Sequence, residues 1–140
     1  MRGKQFLLSA CIGFLLVARS VTAHHAFAAE FDADKPVTLK GTLVKMEWVN
    51  PHGWIHIEVK EPDGKVITWR GETGAINALV RRGWTKESLK AGMKLTLDGY
   101  LARDGSKKMT AMNVVLPDGS KLFAGSSGTG APTEIPSDKK

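Results

Sequence analysis

Two adjacent histidines, His24 and His25, sit in the stretch VTAHHAFAAE, and two more, His52 and His56, fall four positions apart farther along. Imidazole nitrogen suits Zn(II), Ni(II) or Cu(II), with Cu(II) bound tightest in the Irving–Williams order. The first pair has an added resource. Val21-Thr22-Ala23 supplies the small residues that a signal peptidase needs, and a cut after Ala23 makes His24 the amino terminus. Its α-amine and imidazole can then chelate one ion in a six-membered ring, and His25 can add a backbone amide or a second imidazole. Such ligands must lose protons to bind, so affinity rises with pH.

A further ligand has to come from His52 or His56. On one continuous strand the two would stand about 13 Å apart, too far to share an ion. His52 lies in the turn NPHG, between Trp48 and Trp54, and is the better partner for an N-terminal segment. The expected metal set is therefore His24, His25 and His52, holding Cu(II) or another divalent transition metal. A simpler use of the same residues is also open: His24 and His25 as solvent-facing residues after the cut, and His56 as an exposed strand position.

Aromatic residues supply a second possibility. Trp54 and His56 share a strand face, and Trp69 lies on the expected partner strand. In oligonucleotide/oligosaccharide-binding (OB) barrels, aromatic side chains at such places stack bases or sugars at ~1–3 kcal/mol each. Trp54, His56 and Trp69 are the expected ligand-binding set, with Arg70, Arg81 and Arg82 as cationic contacts. Trp48, Trp69 and Trp84 have the alternative of filling the core. No reading as an enzyme follows. Ser88, Ser106 and Ser120 sit in turns with no adjacent histidine, and no acid and base form a recognisable pair. Glu30, Asp32 and Asp34 form a carboxylate run that could add oxygen ligands to a hard cation.

The leader reshapes the composition. Residues 1–23 have the layout of a secretory signal peptide: Arg2 and Lys4, an apolar run from Phe6 to Ala18, then the small-residue site. The run is short for a membrane span of ~20 residues, and the mature chain has none. Losing Arg2, Lys4 and Arg19 leaves 17 basic against 14 acidic residues, a net charge of +3 instead of +6. Nucleic acid is thus a poor partner; an unidentified small ligand or protein is expected instead. The single cysteine, Cys11, departs with the leader, so the 117 mature residues must fold around an apolar core without disulfides. The expected location is the periplasm.

The elements that must position these groups are mostly strands. VTLKGTLVKMEW alternates at Val37, Leu39, Gly41 and Leu43, then shifts register at Val44, and a Gly and a register shift in one strand suggest a bend, as when a strand serves two halves of a barrel. WIHIEV and VITWR flank the turn EPDGK. GAINALVRRG has the one helical spacing, and WTKESLKAGM reads as a short turn with Thr85 as N-cap. KLTLDGYLA and MTAMNVVL follow as strands joined by RDGSKK, with KLF as a short extension. The order β-β-β-α-β-β, all-β with one short helix, is that of a small five-stranded OB-like barrel. Residues 1–23 are expected to be leader, 24–35 a lead-in, 36–124 the barrel and 125–140 a flexible Gly/Ser/Pro-rich tail.

Four segments, AHHAFAAEFDADKPVTLKGTL, EWVNPHGWIHIEVK, NALVRRGW and LPDGSKLFAGSSGTGAP, resemble in order a family of small exported proteobacterial proteins classed as a domain of unknown function. The resemblance implies export and a shared β-rich fold. It implies no activity.

Overall fold

The computed structural model describes residues 27–126; the expected leader, His24, His25 and most of the expected tail lie outside the described residues. Six strands, β1 (Phe31–Glu47), β2 (Trp54–Lys60), β3 (Val66–Glu72), β4 (Lys94–Ala102), β5 (Lys108–Val115) and β6 (Lys121–Phe123), and one helix, α1 (Ile76–Arg81), make up the chain order β1-β2-β3-α1-β4-β5-β6. The sheet runs β3-β2-β1-β4-β5-β6, and a parallel β3–β5 pairing closes its first five strands into a ring. This is the expected OB-like barrel, with the helix between the third and fourth strands.

The long first strand makes closure possible. Its first part pairs with β4 and its second with β2, and both ladders meet at Thr42. A register shift between Leu43 and Lys45 bends the strand there. Gly41 sits at the bend because any Cβ would lie 2.5 Å from the Glu58 carbonyl oxygen, so the two strands could not close up. Three Asp-Gly turns share one device: Asp63, Asp104 and Asp118 each accept a hydrogen bond from the backbone N–H two residues on. The Ser106 and Ser120 hydroxyls also donate to Asp104 and Asp118, and these bonds hold both carboxyls below the ordinary range.

Inward-facing residues alternate along the strands and fill the barrel. Leu43, Ile55, Ile57, Leu97, Met109 and Val114 are buried, and Leu79 of α1 joins them. Trp84 is also buried, its Nε1–H donating to the Phe123 carbonyl at 3.2 Å. The β2–β3 register pairs Trp54 with Glu72, His56 with Arg70 and Ile57 with Trp69. Trp69 therefore lies on the inner face with Ile57 and is buried in the core, which corrects the expectation that it joins Trp54 and His56 in a ligand face. An odd offset along the strand is the physical reason: side chains alternate sides, and Trp69 is one residue out of phase with Arg70.

A second, smaller core lies outside the barrel. Phe27, Phe31, Tyr100, Ala102 and Met112 pack together, with Phe27 edge-on to Tyr100 at 5.8 Å and 5.9 Å from Phe31. Residues 27–30 form a helical turn, tied down where the Arg103 N–H donates to the Glu30 carbonyl and Arg103 Nε to the Ala28 carbonyl. The expected lead-in is thus partly inside the fold. The first strand begins at Phe31 rather than Pro36, and Phe27 anchors the chain four residues earlier still. Burial raises the pKa of the Tyr100 phenol beneath this strap.

Candidate functional site

The loop from Trp48 to Gly53 carries WVNPHG, with a cis peptide bond between Asn50 and Pro51. Two backbone hydrogen bonds tie its end to the end of β3: Thr73 N–H to the Gly53 carbonyl at 2.9 Å and Gly53 N–H to the Gly74 carbonyl at 3.5 Å. Gly53 is buried in that seam, where a Cβ would lie 2.7 Å from Thr73 Oγ1 and 2.9 Å from Met46 Cε. The seam holds the residue before Gly53 against the residue before Thr73. Accordingly, His52 Nδ1 meets Glu72 Oε1 in a hydrogen-bonded contact. Glu72 is mostly covered, at 12% side-chain exposure, whereas His52 keeps 35%.

This pair separates two spaces. On one side a cavity of about 60 Å³ is lined by Phe27, Glu30, Phe31, His52, Glu72, Thr73, Thr110 and Ser126. Six of these eight residues carry polar or charged side chains, and the cavity has room for a small ion or water. On the other side an open cleft of about 430 Å³ runs past Asn50, Pro51, Trp54, Arg70 and Lys108. Glu30 also borders both spaces, its carboxylate held by Lys108 Nζ at 3.2 Å. The Arg70 guanidinium stacks on Trp54, 4.4 Å from the ring centre. In OB barrels this region, beside the second and third strands and their end loops, is the usual binding surface.

The expected residues divide accordingly. His52 is at the centre of the site, and Trp54 lines its open side beneath Arg70. His56 does not reach it. That ring is 13% exposed, lies across the ladder from Lys45 and Arg70, and has its Nε2 3.4 Å from Glu47 Oε2. His24 and His25 lie outside the described residues. Arg82 turns away to donate to the Gly125 carbonyl at 2.6 Å and to cover Phe123. Of the carboxylate run, Glu30 borders the site, whereas Asp32 sits 3.8 Å from Arg103 and 3.7 Å from Lys35.

Glu72 escaped the sequence reading, though a signal existed. Counting back from the EPDGK turn pairs Lys60 with Val66 and therefore Trp54 with Glu72, two residues from His52. Among the described residues no three histidine, cysteine or carboxylate side chains converge as a metal-binding group. Of these side chains, His52 and Glu72 are in contact and Glu30 borders the same cavity. Also among the described residues, no helix is long and apolar enough to cross a membrane.

The chain matches the family of unknown function DUF6152 over residues 13–111. It belongs to that family. The match takes in the strap, the NPHG loop, Glu72 and Lys108, and of the residues lining the small cavity it leaves out Ser126. No curated protein and no solved structure matches the chain.

Proposed function

We propose that this is an exported periplasmic protein that binds one divalent transition metal ion, Cu(II) foremost, between its mature amino terminus and His52. One observation carries the reading: Phe27 and His52 line the same small cavity. Phe27 is fixed by burial against Tyr100 and Phe31. Two residues, His25 and Ala26, separate it from His24, so three Cα-to-Cα steps allow the His24 Cα to lie no more than about 11 Å from that of Phe27. If the leader is cut after Ala23, this short tether supports an approach of the α-amine and imidazoles of His24 and His25 to His52. A site of nitrogen donors from a terminus and a loop favours Cu(II) among the available divalent ions.

A non-catalytic interaction module is the second reading, and Trp54 favours it. It lines an open cleft with Arg70 across its face, a platform for a small planar or anionic ligand. The Trp69 and His56 positions lend this reading nothing, since one is in the core and the other is enclosed.

Two measurements test the metal proposal. The intact mass of the exported protein should correspond to a chain starting at His24. Copper titration of that form should give one tight site, which His24→Ala abolishes. Equal affinity in both forms would exclude the chelate.

A further inference from the structure

We infer that Glu72 is the positioning residue of this centre: it holds His52 as the Nδ1–H tautomer and leaves Nε2 as the nitrogen that receives the ion. The inference rests on the metal reading above. Neutral imidazole has one donor and one acceptor nitrogen, while an ionised carboxylate only accepts. The contact between His52 Nδ1 and Glu72 Oε1 thus requires the proton on Nδ1. An unrestrained histidine favours the opposite tautomer, with the proton on the Nε2 that a metal needs bare.

The geometry makes the hold firm. Glu72 ends β3 opposite Trp54, and the residues following His52 and Glu72 are joined by the Thr73-to-Gly53 hydrogen bond. Neighbouring cations have other partners: Lys108 is on Glu30 and Arg70 on Trp54. A carboxylate behind a metal-binding imidazole both orients the ring and raises its basicity, and losing it weakens metal binding about 10–100-fold.

Nitrogen-15 NMR of the metal-free mature protein reads the tautomer directly. Wild type should show Nδ1–H at His52. Glu72→Gln should keep it, because the amide oxygen still accepts, and Glu72→Ala should shift it towards Nε2–H. Titration with Cu(II) alone should then show a loss of about 10–100-fold in Glu72→Ala and a smaller one in Glu72→Gln. Nε2–H in wild type, or an unchanged tautomer in a folded Glu72→Ala, would overturn the positioning role. Equal copper losses in both variants would overturn it too, since they would make the carboxylate itself a ligand. Should Glu72→Ala not fold, the wild-type tautomer and the Glu72→Gln titration still decide. Failure of wild type to bind copper at all would instead remove the metal reading, whatever the tautomer.

Discussion

His52 and His56 lie four residues apart, each beside a carboxylate, yet their surroundings give them different capacities. His52 stands on a loop at the rim of the barrel, with one nitrogen on Glu72 and a third of its side chain open to a cleft. His56 stands mid-strand in a ladder of Lys45, Glu47 and Arg70, and its Nε2 is sealed from solvent. Its carboxylate partner answers to another group: the Lys45 ammonium, more than His56, keeps Glu47 below its ordinary pKa. A histidine–carboxylate pair is therefore not enough for a ligand. The ring also needs open space and further donors within reach, and only the His52 end has the N-terminal strap beside it.

Removing the strap should break the distinction most strongly. Phe27→Ala deletes a buried ring from the small core, and we expect about 3 kcal/mol of lost stability by denaturant unfolding. Copper affinity at the His52 end should fall with it, while the environment of His56, followed by its ring NMR signals, stays unchanged. A smaller effect should come from Tyr100. Burial raises its folded pKa above the ordinary value of about 10, so its contribution is fully present below that pH and lost as pH rises through the folded value. Unfolding midpoints measured between about pH 8 and pH 11 should fall in wild type and fall less in Tyr100→Phe. The alkaline change should loosen the Phe27 side of the molecule first, because the two rings are in contact.

Much of the barrel was legible because period-two alternation and Asp-Gly turns are local signals. The succession of strands and the register shift at Val44 follow from them, and the helix follows from its own 3.6-residue spacing. The strap was not. The stretch from Ala33 to Pro36 is exposed and bulged out between the paired residues Phe31 and Pro36, so it shows no alternation. Phe27 finds Tyr100 and Met112 far along the chain, which no local pattern announces. His52 was identified from its turn and its flanking tryptophans. Glu72 and the true side of Trp69 needed the hairpin register, a one-residue matter that decides which face each side chain takes.

The central claim is that one ion is held between the amino terminus and His52, and a paired titration tests it most directly. Protein whose intact mass starts at His24 would be titrated with Cu(II) as wild type, His52→Ala and His56→Ala. The account predicts one tight site in wild type and in His56→Ala, and its loss in His52→Ala. Tight binding that survives in His52→Ala, or disappears in His56→Ala, would contradict it.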